Sequence, residues 1–425
     1  MGGVSSGGRA VVHGDLGRAD GPLSVNTAAK PPAGAYRALV LATLAFALCF
    51  AVWGLVSPLA IQFQELYELS STQISIVIAT PVILGSLFRI PIGLLTDRFG
   101  GRVVFSGLML VLVVPVLFIG LLGGSFGGLL FWGFFLGLAG SSFAVGVPFV
   151  NKWFPPHMQG LVLGIYGMGN IGSAIAAYTA PAIAAFYGWQ WAFWVFIVPL
   201  VAMAAVFWLL GRDAPQAGPR PSVTAGISLF RREIIPWVLS LFYFLTFGGF
   251  VALGIYLPKL LVDLFGFTPT GAGLRAAGFV VLATLARPAG GWLADRIGGS
   301  RTLAIIFAIL PITAVVMSLQ PGLGLFRVAV LATAVLLGIG NGAVFKLVAA
   351  YYPGKTGAVT GVVGAAGGLG GFFPPLVLGV VRDATGSYAL GFILLALFAA
   401  GCLLVNLIYV NSHPATSAST EGRVR

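Results

Sequence analysis

Residues 89–102 read Arg89-Ile-Pro-Ile-Gly93-Leu-Leu-Thr-Asp97-Arg98-Phe-Gly100-Gly101-Arg102. Residues 287–301 read Arg287-Pro-Ala-Gly-Gly291-Trp-Leu-Ala-Asp295-Arg296-Ile-Gly298-Gly299-Ser-Arg301. An Arg, a Gly, an Asp-Arg pair and a Gly-Gly pair recur at a constant offset of 198 residues. Chance does not readily place so many identities in one register, so the chain is read as an internal duplication. Each copy closes a long apolar run with a short charged, glycine-rich turn. That arrangement points to two related bundles of helices.

The composition around the repeat identifies the solvent. Of 425 residues, 58% are hydrophobic and only 8% are charged, against about 25% charged in an ordinary soluble domain. A chain with so little charge must present an apolar outer surface, and lipid is the medium that tolerates one. The net charge of +12 lies in short clusters between apolar runs, without interleaved aromatics. It reads as orientation in a bilayer, not as a nucleic-acid surface. Cys49 and Cys402 fall inside apolar runs and read as packing residues. No metal-ligand spacing and no nucleophile–base constellation is present, so neither a metal, a cofactor nor an enzyme activity is expected.

A membrane helix needs about 20 apolar residues. Scanning outward from the repeat on that basis predicts spans near 36–62, 72–96, 102–122, 124–150, 158–186 and 190–211, then 234–262, 268–294, 302–320, 326–351, 356–381 and 388–411. The fold class is therefore an all-α membrane protein, with twelve transmembrane helices in two pseudo-symmetric six-helix bundles. The expected divisions are a disordered tail over 1–34, bundles over 35–211 and 234–411, a linker over 212–233 and a second tail over 412–425. Placing both termini and the linker in the cytoplasm leaves Lys259, Arg275, Arg327 and Arg382 on the outer side, with Arg89, Arg287 and Lys346 inside spans. All other Lys and Arg then face the cytoplasm, as the positive-inside rule asks. A multi-pass plasma (inner) membrane protein, acting as a monomer, is expected.

Arg89 and Arg287 are the most informative residues. Each precedes its Asp by eight positions, about 12 Å along a helix, which puts both near the middle of a core about 30 Å thick. A charge there costs at least about 2.5 kcal/mol on insertion scales, so such residues usually line a polar path. All 11 acidic residues sit in tails, loops or span ends. The two cations are thus expected to lack a protein counter-charge, and a small anion would supply one. Guanidinium is a planar fork of donors that stays protonated, suited to a planar oxyanion.

The Gly-x-x-x-Asp-Arg-x-Gly-Gly pattern, present in both copies, resembles the signature of the major facilitator superfamily. Gly93, Asp97, Arg98, Gly291, Asp295 and Arg296 are expected to latch a gate, the Asp and Arg pairing with each other or with neighbouring helix ends. Two further segments, Gly164-Ile-Tyr-Gly167-Met-Gly169-Asn170-Ile-Gly172 and Gly361-Val-Val-Gly364-Ala-Ala-Gly367-Gly368-Leu-Gly370-Gly371, look like the paired signatures of the nitrate/nitrite porters within it. The run Gly338-Ile-Gly340-Asn341-Gly342-Ala-Val-Phe345-Lys346 is similar to that family too. The resemblance spans roughly 36–410. It implies substrate binding by an arginine at each of the positions of Arg89 and Arg287, with Asn170, Tyr243 and Phe143 around the anion. The dense glycines, Gly169, Gly367 and Gly368 among them, pack helices closely and bring peptide dipoles toward the anion.

The function expected on this basis is alternating-access transport of nitrate and nitrite, with nitrate uptake by proton symport as the leading form. The alternatives are nitrate/nitrite antiport, or carriage of oxalate, formate or a monocarboxylate on the same scaffold. The overall motifs look closer to the proton-symporting, assimilation-type porters. Tyr166 stands where respiratory members carry a second Asn, which points to a different subgroup. His13, His157 and His413 lie outside the spans, and no carboxylate lies deep. Lys346 is therefore the coupling candidate, its other reading being a lysine that reaches for the cytoplasmic surface.

Overall fold

The computed structural model describes Gly2 and residues 30–69, 71–215, 232–353 and 355–410. Most of the expected tail over 1–34, the tail over 412–425 with His413, His13, and positions 216–231 of the expected linker lie outside the described residues. From Pro31 onward the chain is one compact unit. Its described helices include twelve long and apolar enough to cross a membrane. In chain order they are α1 (Ala35–Leu59), α2 (Ile76–Phe99), α3 (Gly101–Leu122), α4 (Phe126–Asn151), α5 (Pro156–Tyr187) and α6 (Trp189–Leu210). The second set is α7 (Ile235–Pro258), α8 (Gly271–Ile297), α9 (Gly299–Ser318), α10 (Leu323–Tyr351), α11 (Thr356–Pro374) and α12 (Ala389–Val410). The six-plus-six reading of the hydropathy pattern is thereby met, including the breaks near Gly123 and Gly322.

The repeated Gly-Gly turns have a backbone reason. Gly100 has φ +88° and Gly298 has φ +91°, a region that side chains with a Cβ disfavour. One residue thus reverses the chain between α2 and α3, and again between α8 and α9. Within the first set, α3 packs on α6; within the second, α7 packs on α11, α8 on α10 and α9 on α12. The two sets meet where α2 packs on α11 and α8 packs on α5. Spans α6 and α12 are the least buried, with side chains such as Val198 and Leu209 pointing outward. A single peripheral layer of that kind is what lipid-facing helices need.

Helix irregularities cluster at one depth. In α2 the helix breaks at Phe88, just before Arg89 and near Pro91. In α4 a 3-10 stretch covers Gly137–Ser141, and in α5 another covers Met168–Asn170. In α8 Pro288 follows Arg287 directly. Proline removes a backbone donor and glycine weakens helical preference. The sequence therefore loosens the helices at the level of the two arginines.

Candidate functional site

Arg89 and Arg287 are 1% and 2% exposed, so both charges are shut off from bulk water. Arg89 Nε donates to the Gly140 carbonyl at 3.0 Å, and its Nη1 donates to the Gly364 carbonyl at 2.5 Å. Arg287 Nη1 donates to the Gly167 carbonyl at 3.3 Å, and its Nη2 donates to the Tyr243 hydroxyl at 3.0 Å. Gly364 is on α11 and Gly167 on α5, so each arginine reaches across the seam to the opposite half. Among the described residues neither guanidinium forms an ion pair with a carboxylate. Neither points into lipid. The expected imbalance of charge is present among the described residues.

The glycine signatures acquire a steric explanation. A Cβ placed on Gly167 would lie 2.9 Å from Arg287 Nε, and one on Gly364 would lie 3.0 Å from Arg89 Cδ. These two positions keep room for an arginine to lie flat on the backbone it bonds. Gly164 and Gly361 do the same for the main chain, where a Cβ would come 2.6 Å from the Arg287 carbonyl and 2.5 Å from that of Arg89. The three glycines expected to aim dipoles at the anion are placed differently. A Cβ on Gly169 would run into Phe46, on Gly367 into Tyr243 and on Gly368 into Ser86. Their open faces are filled by protein side chains, which makes them packing positions around the site.

Aromatic rings wall the arginines. Phe143 is buried, stacks with Tyr243 at a centroid distance of 6.2 Å and 10° between planes, and lies 5.8 Å from the Arg287 guanidinium carbon. Tyr166 stacks on Phe46 and donates its hydroxyl to the Ser142 carbonyl at 2.9 Å. Two residues of this wall are given no role at the site by the sequence reading. Phe247 lies 5.3 Å from the Arg89 guanidinium carbon and 5.7 Å from that of Arg287, and it stacks on Tyr243. Phe345 meets both Phe143 and Tyr243 edge-on. The helical spacing of four residues from Tyr243 to Phe247 puts them on one face of α7 and is the signal that was available.

Asn170 is 1% exposed, and neither atom of its side-chain amide has a hydrogen-bond partner. Buried polar groups are rarely left so. The Trp53 indole N–H is likewise unpartnered; a Cβ on Gly140, whose carbonyl holds Arg89, would lie 3.0 Å from it. These groups add hydrogen-bonding capacity near two uncompensated cations. The arrangement is suited to hold a small anion.

A separate pair of clusters ties the halves together on the face that carries the Gly-Gly turns. Asp97 accepts from the Gly357 and Ala358 amides at 3.3 and 2.9 Å, at the start of α11. Asp295 accepts from the Gly160 and Leu161 amides at 2.9 and 2.8 Å, near the start of α5. An anion at a helix N-terminus is favoured by the free amides and the helix dipole. Gly93 and Gly291 let these helices touch, since a Cβ on either would strike the Gly357 or Gly160 carbonyl. The expected alternative of helix-end contacts describes the two Asp residues. Arg98 and Arg296 lie over the Phe99 and Trp292 rings, at 5.3 and 4.3 Å.

Lys346, the expected coupling candidate, belongs to this second region. Its Nζ is 2.7 Å from Asp295 Oδ1 and also donates to the Pro156 carbonyl. Five residues from Asn341 along α10, it has already left the arginine level for the helix end. Lys152 stands 3.9 Å from Asp97 Oδ1 in the analogous place. The surface-directed reading of Lys346 is the one the geometry matches, because the nearest carboxylate is at that end.

Comparison with known proteins agrees with this architecture. A sequence model of the Major Facilitator Superfamily matches residues 41–375, with a second match over 239–424. The nitrite extrusion protein of Bacillus subtilis (strain 168) is 46% identical, over 84% of this chain and 90% of its own length. The probable nitrate transporter NarT of Staphylococcus epidermidis is 40% identical, over 88% of this chain and 96% of its own. Among solved structures, the human organic anion transporter MFSD10 superposes with a TM-score of 0.73 at 16% identity, covering 89% of this chain and 100% of that one. That last likeness concerns the fold alone.

Proposed function

The chain belongs to the Major Facilitator Superfamily, and we propose that it carries nitrate and nitrite across the plasma membrane by alternating access. It is a multi-pass membrane protein. The observation that carries the reading is the pair of buried guanidinium groups at the seam of the halves, unmatched by any carboxylate among the described residues. The names of its relatives, which refer to nitrate and to nitrite, support the substrate.

In this reading the anion bridges Arg89 and Arg287. Each guanidinium has more donors than its backbone and phenol contacts use. Tyr243 accepts from Arg287, which leaves its own proton to donate to the anion, and Asn170 adds an amide N–H. The rings of Phe143 and Phe247 exclude water, and Coulomb attraction strengthens as water leaves. Binding lowers the repulsion between the two cations and so favours the closed arrangement. A ligand can drive a conformational change only through such differential affinity. The Asp97 and Asp295 clusters hold the halves together on the cytoplasmic side until they rock apart. Both termini are cytoplasmic and the carrier works as a monomer.

The coupling proposed is nitrate uptake with proton symport, after the likeness to assimilation-type porters. One observation favours exchange of nitrate for nitrite: among the described residues, no carboxylate or histidine bonds to either arginine, and Lys346 is engaged with Asp295. Uptake of labelled nitrate into proteoliposomes decides between them. Symport requires stimulation by an inward proton gradient; exchange requires nitrite preloaded inside and is indifferent to that gradient. Absence of nitrate uptake in both settings, with uptake of oxalate, formate or a monocarboxylate, would overturn the substrate assignment.

A further inference from the structure

On the face opposite the Asp97 and Asp295 clusters, a groove of about 410 Å³ runs between α8 and α10, over the far end of the α7 helix, which extends to Phe265. Its floor is buried and apolar, formed by Leu257, Leu261, Phe279 and Phe326. Leu274, 73% exposed, stands on its rim. The same groove is lined by Arg275 and Arg327. Arg275 is held in place, with Nη1 donating to the Gly271 carbonyl at 2.9 Å and its guanidinium 4.2 Å from the Phe267 ring.

Both arginines are exposed and lie near the outer ends of their helices, which begin at Pro269 and Leu323. Among the described residues neither forms an ion pair with a carboxylate. Their depth is also informative. Arg275 lies about 18 Å along α8 from Arg287. With Arg287 near the middle of a core whose half-thickness is about 15 Å, Arg275 falls at the level of lipid headgroups.

We propose that this groove binds one anionic phospholipid of the outer leaflet, its phosphate held by Arg275 and Arg327 and an acyl chain laid on the apolar floor. Guanidinium forks suit phosphate oxygens, and the negative headgroup offsets two cations that have no carboxylate partner among the described residues. A free inorganic anion accounts for the arginines but not for the buried apolar floor beneath them. The site is distinct from the central arginines and does not depend on the transported substrate.

The test uses the full chain in a neutral detergent, with phosphatidylglycerol and phosphatidylcholine of identical acyl chains. Retained lipid is read by native mass spectrometry and the unfolding midpoint by heating. Phosphatidylglycerol is expected to be preferred by about 25-fold, on the order of fivefold for each arginine. Arg275→Gln with Arg327→Gln should bring the preference close to unity. Gly278→Leu is a second, independent variant: Gly278 lines the groove and a Cβ there meets nothing within 4 Å, so the larger side chain fills the groove without crowding. It should reduce retention of phosphatidylglycerol with both arginines in place. Equal retention of the two lipids, an undiminished preference in the double Gln variant, or full retention by Gly278→Leu each overturns the proposal. So does inorganic phosphate alone, if it reproduces the rise in midpoint.

Discussion

The surroundings of Arg89 and of Arg287 are alike in their backbone contacts and unlike in their side-chain contacts. Each arginine crosses the seam to the carbonyl of a glycine in the other half, Gly364 for Arg89 and Gly167 for Arg287. The second contact differs. Arg89 meets another carbonyl, that of Gly140, whereas Arg287 meets the Tyr243 hydroxyl. Duplication thus preserved the cross-half bond, which backbone geometry supplies in either copy. The other contact diverged, and the C-terminal niche alone gained a group that both accepts from its arginine and has a proton to give. Two related halves have become an asymmetric site.

The strongest challenge to the shared part is Arg89→Lys or Arg287→Lys. Lysine keeps the charge but loses the planar fork, and each substitution should cut nitrate uptake in proteoliposomes at least about 100-fold, as expected from losing two charge-assisted bonds. Expression and the oligomeric profile should be unchanged. Wild-type uptake by either variant would remove the arginine pair from the mechanism.

Next in size are Gly167→Ala and Gly364→Ala. Each places a methyl about 3 Å from an arginine side chain, and overpacking of this kind costs about 1–3 kcal/mol. Roughly tenfold slower transport is expected from both. A loss confined to one of them would show that the cross-half contacts are not equivalent in function. Tyr243→Phe probes the asymmetric part. It removes the acceptor from Arg287 and the donor proposed for the anion, so KM for nitrate should rise about tenfold, the low end for one hydrogen bond to a charged group. If KM is unchanged, the diverged contact serves packing alone.

The smallest effect concerns the two gate clusters. Lys346 is 2.7 Å from Asp295, but Lys152 is 3.9 Å from Asp97. Lys346→Met should therefore lower the thermal midpoint more than Lys152→Met and expose cysteines engineered along the α5–α8 seam more readily. Equal effects would mean that the amide contacts of the two Asp residues, and not the lysines, determine closure.

Much of this was legible in the residues. Low charge and long apolar runs are local properties, so the twelve spans could be read directly. The 198-residue repeat announced the pseudo-symmetry, and the depth of Arg89 and Arg287 follows from their distance to Asp97 and Asp295. Phe247 and Phe345 were less visible because aromatics abound here, with 33 Phe in the chain. Lys346 was read as the coupling candidate because it lies inside its span; its place at the gate comes from a contact with Asp295 on another helix, which its own span does not encode.

The sequence by itself determined that the solvent is lipid, that the chain is duplicated, and that two permanent cations lie deep without a carboxylate nearby in the chain. Only the tertiary structure decided what those cations touch. Contacts such as Arg89 with Gly364, or Asp295 with Gly160, join segments far apart in the chain. No local pattern encodes them, since each depends on how closely two separate helices approach. That approach is set by which glycine faces which side chain.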